Sequence, residues 1–335
     1  MPATGANDAA VVAVGTRGGI PATPLAPAVA AQLRRRRQPV RVDLREWAGP
    51  IHFQGGFNTC AAHAGACLVA YFEKRARGTE LSASRLFLYK VAKSFLQVDS
   101  PGSGVYVRQV MGVIKLVGTP PEHYWPYPDP GTPAKPRFDD PLLDAEPPAE
   151  CYAAAADYRT VNYRLEDVDQ EPDELLRLAK AHLAAHVAFA FDFPVYRSIA
   201  HAQMSGRIPF PATPQPVLTN HAVVAMGYDD TIEIGAGIDG AAATRGALLI
   251  KNSWSEQWGE KGYGWLPYEF VLHGRTRDFW TLLPDESLPA SSEAATPAPV
   301  APRLRARRRA APRVEAGCRR RSPRPYRRSA SDRRS

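Results

Sequence analysis

The hydrophobic period of this chain changes once, near His186, and that change bounds what it can fold into. Before it, apolar residues recur at helical spacing. Between Cys60 and Arg77, Ala64, Cys67, Leu68, Tyr71 and Phe72 fall three or four apart, and Gly78 marks a stop. Leu81–Gln97 carries a further helical pattern that begins near Ser82 and Ser84, and Val107–Leu116 another, with Gly118 just beyond. Pro172–His186 reads as a helix whose first turn holds Asp173 and Glu174. After His186 the runs become short and strand-like: Val187–Phe193, His221–Tyr228, Gly246–Lys251, Gly262–Pro267 and Asp278–Leu283, separated by Gly, Pro or Asp turns. Helices followed by strands predict an α+β domain of two packed halves.

The flanks differ in texture. Residues 1–39 are rich in Ala, Pro and Gly and end in Arg34–Arg37, so they read as a disordered segment. Residues 40–284 hold the periodic patterns, opening with a short alternating run from Val40 to Arg45; Pro120–Pro148 within them is dense in Pro and Asp and reads as loop. Residues 285–335 turn Ser-, Ala- and Pro-rich and then Arg-rich, again predicted to be disordered. The formal net charge of +8 is carried by these ends, with +12 on residues 303–335 and +4 on residues 1–39, which leaves −8 on residues 40–302. The Arg-rich tail has the charge for weak contact with polyanions, but only Tyr326 as an aromatic.

No apolar run approaches the roughly 18 residues that span a bilayer. The N-terminus lacks a positive-then-apolar signal pattern, its Ala, Val and Gly being broken by Asn7, Asp8, Thr16 and Arg17. The expectation is a cytoplasmic protein, or one exported without such a peptide. Four cysteines (60, 67, 151 and 318) are too few for a disulfide framework in 335 residues. Cys60 and Cys67 on one helix would stand about 10 Å apart, beyond disulfide reach. Cys67 and Cys151 are expected to be structural thiols. His182 and His186 have metal-ligand spacing on a helix but no acidic or Cys partner nearby, so a solvated helix face is expected and neither metal nor cofactor is predicted.

Cys60 is the residue with chemistry to explain. A thiol with an ordinary pKa of about 8.5 needs help to act as a nucleophile, and a helix N-terminus supplies partial positive charge to it. Cys60 opens its helix. His63, one turn on, would point along the helix side. His221, on a strand of the second half, can face the helix end across a cleft. Asn252 can hold the imidazole through its side-chain oxygen, and Gln54, six residues before Cys60, can offer amide hydrogens to a developing oxyanion.

At these residues the chain resembles the papain-like cysteine peptidases. The matching pieces are Gln54-Gly55 with Cys60 six residues after the Gln, Asn220-His221-Ala222-Val223 with Gly227-Tyr228, and Lys251-Asn252-Ser253-Trp254 running on through Trp258-Gly259 to Gly262-Tyr263-Gly264. Gly118–Tyr127 resembles the family's Gly, Pro-Glu, Pro-Tyr segment, and the ending Gly264–Phe270 resembles its bacterial, cytosol-type members. The resemblance covers about residues 40–284. It implies a two-lobed α+β fold, with an N-terminal helical lobe, a C-terminal antiparallel β-barrel-like lobe and the active-site cleft between them. It further implies a Cys60 nucleophile, His221 as general base and acid, Asn252 as its orienter, and Gln54 with the Cys60 backbone N–H as oxyanion hole. Trp254 would shield the His221–Asn252 bond, and Gly104, Asn220 and Trp254 would line the cleft for a peptide or protein substrate.

The same resemblance marks departures. Phe57 stands where the family carries a disulfide cysteine. Asn58 stands at a family glycine, a site at which a positive φ is expected. Ala61 replaces the usual aromatic after the nucleophile. The 161 residues from Cys60 to His221 exceed the roughly 130–150 of the usual pattern. About forty residues before the domain are too few for the usual inhibitory propeptide. Two other readings use the same residues: an inactive papain-like domain that binds peptides or a partner protein, and a thiol acyltransferase or glutamine deamidase.

Overall fold

The structure, a computed structural model, describes residues 38–96, 103–158, 161–164, 170–238 and 240–283. Nearly all of the Ala/Pro-rich N-terminal segment, the whole Arg-rich tail and Cys318 lie outside the described residues.

Chain order runs β1 (Arg41–Asp43), α1 (Cys60–Arg77), α2 (Arg85–Leu96), α3 (Val107–Leu116), a hairpin of β2 (Gly131–Thr132) and β3 (Lys135–Pro136), α4 (Ala149–Ala155), β4 (Val161–Arg164), α5 (Pro172–Ala184), β5 (Phe189–Val195), α6 (Ala202–Ser205), β6 (Phe210–Pro211), β7 (Thr219–Ile234), β8 (Ala241–Ala242), β9 (Thr244–Lys251), β10 (Tyr263–Pro267), α7 (Glu269–Leu272) and β11 (Arg277–Leu283). The order is helices first and then mostly strands, as the periodicity predicts. No described helix is long and apolar enough to cross a membrane.

The main sheet is antiparallel, in the order β10-β9-β7-β5-β11-β4. Strand β1 adds a seventh member on β7. Its ends do not meet, so the barrel-like lobe is an open sheet and not a closed barrel. Strand β7 organises it. Thr219 to Ala225 pair with β5, a bulge intervenes, and Gly227 to Asp229 on the same edge pair with β1. The β1 backbone comes so close that a Cβ on Gly227 would lie 2.2 Å from the Val42 carbonyl oxygen. Only glycine fits there.

Helix α1 is packed on all sides. Gly78 ends it in the left-handed conformation (φ 69°), its N–H donating to the Lys74 carbonyl. Its buried face is built of small residues, Ala61, Ala62, Ala64, Gly65 and Ala66, followed by Leu68, Val69 and Tyr71. Small side chains let α2, α3 and β7 approach the helix axis. Helix α2 starts where Ser84 accepts the Phe87 N–H at 3.2 Å and donates to the Trp125 carbonyl at 2.8 Å. One continuous apolar core runs from these helices into the buried strand β5 and the stacked pair Phe191 and Phe279, 5.0 Å apart.

Several elements differ from the sequence reading. Helix α4 and strand β4 have no counterpart in it, because Pro and Asp on one side and polar residues on the other mask their periods. Strand β7 runs on to Ile234 through the polar stretch Asp229–Glu233. His182 is not on a solvated face: it is fully buried, its Nδ1 donating to the Leu178 carbonyl at 2.8 Å, whereas His186 is exposed beyond the helix end at φ 61°. Among the described residues no group of His, Cys, Asp or Glu is arranged to hold a metal ion.

A Cβ on Gly65 would sit 2.4 Å from Val110 Cγ1. Gly65→Val is therefore predicted to destabilise the fold by about 1–3 kcal/mol through overpacking, against the gain in helix propensity. A lowered denaturation midpoint in urea checks this; an unchanged or raised midpoint contradicts the close α1–α3 contact.

Candidate active site

The turn before α1 is held rigidly. Gly55 takes φ 71° with the Pro130 and Arg137 carbonyls pressed against it, and the Gly56 N–H donates to Arg137 O at 2.7 Å. The positive φ expected at Asn58 is absent, because Gly55 makes the left-handed turn instead. Phe57 is buried and packs 6.0 Å from the Tyr127 ring. Thr59 precedes α1, and its hydroxyl bonds to the Tyr127 hydroxyl at 2.5 Å rather than capping the helix. The first N–H groups of α1 are thus left to the space around Cys60.

Gln54 is clamped at both ends of its amide. Its Nε2 donates to the Phe57 carbonyl at 2.7 Å, and its Oε1 accepts the Ser253 hydroxyl at 2.6 Å. A carbonyl can only accept, so the amide orientation is fixed. The second Nε2 hydrogen remains after the Phe57 bond. The Gln54 backbone N–H donates to the Ser253 carbonyl at 2.9 Å, and the Tyr127 hydroxyl donates to the Gln54 carbonyl at 3.0 Å.

His221 and Asn252 come from neighbouring strands. Strand β7 pairs Val224 with Lys251 of β9, so His221 lies three residues before that rung and Asn252 one residue after it, on the same side. His221 Nε2 stands 2.8 Å from Asn252 Oδ1, and the Ser253 backbone N–H donates to the same oxygen at 2.7 Å. A backbone N–H needs an acceptor, so the atom is the oxygen. Nε2 of His221 must then be protonated, which leaves its Nδ1 as the nitrogen for the thiol. The backbone N–H of Ala222, the residue after His221, lies near enough to Cys60 to favour its thiolate.

Aromatic rings enclose the imidazole. Trp254 stacks on it at 4.5 Å and 28°, Trp258 meets Trp254 edge-on at 5.4 Å, and Phe193 contacts the other side at 6.0 Å. This dry setting pushes the His221 pKa down to about 4, partly offset by the Asn252 bond. It pushes Cys60 up to about 11, helped by the nearby Asp192 charge and opposed by the Ala222, Ala61 and Cys60 backbone N–H groups. Burial penalises the charged form of each group, so these shifts hold the thiol and the imidazole neutral in the resting protein.

Of the other expected residues, Asn220 is exposed beside His221, and Gly104 is exposed where a Cβ would meet the Asn58 carbonyl at 3.6 Å. Cys67 is free and partly exposed, and burial raises its thiol pKa while Lys251 lowers it. Cys151 is free and buried. Two contributors went unread in the sequence. Ser253 links Gln54 to Asn252, and its place within the Asn-Ser-Trp run was the available signal. Glu122 holds Tyr127 by accepting its backbone N–H at 2.9 Å, and pairs with Arg85, whose guanidinium lies 4.8 Å from the Tyr127 ring centre.

Comparison with known proteins places this geometry. The family described as papain family cysteine protease matches residues 38–270. An uncharacterised peptidase C1-like protein, L477, of Acanthamoeba polyphaga mimivirus is 26% identical over 236 residues, covering 68% of each chain. Xylellain, a cysteine protease from Xylella fastidiosa, is similar in structure with a TM-score of 0.62 and 28% identity, over 78% of this chain and 91% of that one. The Carica candamarcensis cysteine protease CMS1MS2, solved with E-64, shares the fold at a TM-score of 0.50 and 20% identity, over 73% of this chain and 99% of that one.

Three buried histidines carry a consequence for stability. Burial lowers the pKa of His63, His182 and His221, the last two to about 4. Between about pH 6.5 and 4 the unfolded chain binds the protons that the folded chain excludes, so stability is full above that window and falls with pH inside it. Each group contributes up to about 1.4 kcal/mol per pH unit. Urea midpoints measured from pH 7.5 to 4.5 should fall steadily; a flat profile contradicts neutral burial.

Proposed function

We propose that this chain, which belongs to the papain family of cysteine proteases, is an active cysteine peptidase that cleaves peptide bonds through a thioester on Cys60. The observation that carries the reading is the orientation of the His221–Asn252 pair. With Nε2 of His221 committed to Asn252 Oδ1 at 2.8 Å, its Nδ1 is the nitrogen left to act as a base, and in this reading it serves the sulfur at the start of α1.

In this reading His221 Nδ1 takes the Cys60 proton as the sulfur attacks the peptide carbonyl carbon. The oxyanion that forms accepts the Cys60 backbone N–H and the remaining Gln54 Nε2 hydrogen. The imidazolium then protonates the departing amine, the C–N bond breaks, and the acyl group stays on sulfur. Water, deprotonated by His221, attacks the thioester, and the thiol is regenerated. Trp254 excludes water from the Asn252 bond, which keeps that contact strong. Gly104, Asn220 and Trp254 border the substrate, and Gly104 leaves the Asn58 backbone open to an extended peptide. The free thiols Cys60, Cys67 and Cys151 support a reducing compartment as part of the same reading.

Steady-state hydrolysis of a peptide library tests this. Cys60→Ala should abolish turnover, and Gln54→Ala should lower kcat by about 10²–10³-fold, the usual loss of one oxyanion donor. The pH profile of kcat/KM should be a broad bell. Its acid limb lies below the ordinary histidine value and its alkaline limb above the ordinary thiol value, because burial pushes His221 down and Cys60 up. Turnover that survives Cys60→Ala would overturn the reading.

A further inference from the structure

Behind His221 and Asn252, between α1 and the sheet, lies a small pocket of about 20 Å³. His63 and Asn252 both line it. Each brings a buried polar atom without a protein partner: His63 Nε2 and Asn252 Nδ2. His63 is 6% exposed and Asn252 4%.

The chemistry of the two atoms is complementary. His63 Nδ1 lies 3.1 Å from the Thr59 carbonyl oxygen, which can only accept, so Nδ1 carries the hydrogen. Burial and the Arg85 charge hold the ring neutral. His63 Nε2 is then a bare lone pair, an acceptor. Asn252 has its oxygen committed to His221 and Ser253, so Nδ2 offers two hydrogens and no lone pair. A buried donor and a buried acceptor thus belong to two residues that line one space, and they do not bond to each other. A water needs roughly 10–15 Å³ and at least two polar partners. Leaving either atom buried and unpaired carries the full desolvation penalty of that group.

We propose that one buried water bridges Asn252 Nδ2 and His63 Nε2, and that His63 is thereby a positioning residue for the Asn252–His221 pair. The water accepts from Asn252 and donates to His63. It holds the amide plane so that Oδ1 keeps facing His221, acting from the side opposite the Ser253 N–H. The positioning role rests on the peptidase reading above; the water site does not.

The test follows alkylation of Cys60 by iodoacetamide, mapped by mass spectrometry, against pH in the full chain. Three substitutions separate the two ring nitrogens. His63→Asn keeps a donor for the Thr59 carbonyl and loses the far acceptor. His63→Gln restores a polar group where Nε2 stood and loses the near donor. His63→Phe loses both and keeps the ring volume against Tyr127, whose centroid is 4.8 Å away. Asn and Phe should slow neutral-pH alkylation about tenfold, as expected for an unpaired buried amide, and Gln should stay within about threefold of wild type. In an Asn252→Ala background His63→Asn should have no further effect. Wild-type rates for His63→Asn, a defect confined to His63→Gln, or a defect that persists in Asn252→Ala overturns the proposal. Diffraction from wild-type crystals needs no variant to fold: a water within hydrogen-bonding distance of both atoms is expected, and a dry cavity overturns it. Alkylation uses no peptide, so the expected rates with no peptide hydrolysis would refute the peptidase reading and leave the water site standing.

Discussion

The close seating of α1 against strand β7 is the contact from which the rest follows. Ala61, Ala62, Ala64, Gly65 and Ala66 keep side-chain bulk low over the first two turns of the helix. The helix start therefore reaches the sheet, with Cys60 near Ala222, the residue after His221. A helix faced with leucines would stand further off by the thickness of a side chain and the sulfur with it. Ser253 then ties the two sides together. It accepts the Gln54 backbone N–H, donates its hydroxyl to the Gln54 amide, and gives its own N–H to Asn252. Ser253, just past β9, thus sets the orientation of both the Gln54 amide and the Asn252 amide that contacts His221.

Burial at this junction acts in two directions. It strengthens the His221–Asn252 bond and keeps water away through Trp254 and Trp258. It also opposes a lone thiolate and a lone imidazolium. Burial likewise holds His63 and His182 neutral.

Much of this was legible in the sequence, for physical reasons that can be named. The bounds of α1 follow from 3.6-residue spacing and a glycine stop, and Cys60, His221 and Asn252 sit in motifs with little freedom. Other features depend on tertiary contacts that leave no local trace. The turn conformation moved from Asn58 to Gly55 because the Pro130–Arg137 segment presses on the glycine. His182 reads as a polar residue on a helix face, yet α5 is covered there and the imidazole Nδ1 donates to the Leu178 carbonyl of its own helix. The clamp of Ser253 on Gln54 spans 199 residues. Strand β7 extends through Asp229–Glu233 because β9 continues beside it, which no local period reveals.

The central claim is that Cys60 is singled out among the thiols by its position between the α1 terminus and His221. Intact-mass and peptide mapping after treatment with a peptidyl electrophile tests it most directly. The account predicts a single adduct on Cys60, none on Cys67 or Cys151, and loss of labelling in His221→Ala. Labelling of Cys67 at a comparable rate, or labelling of Cys60 that is indifferent to His221, would contradict it.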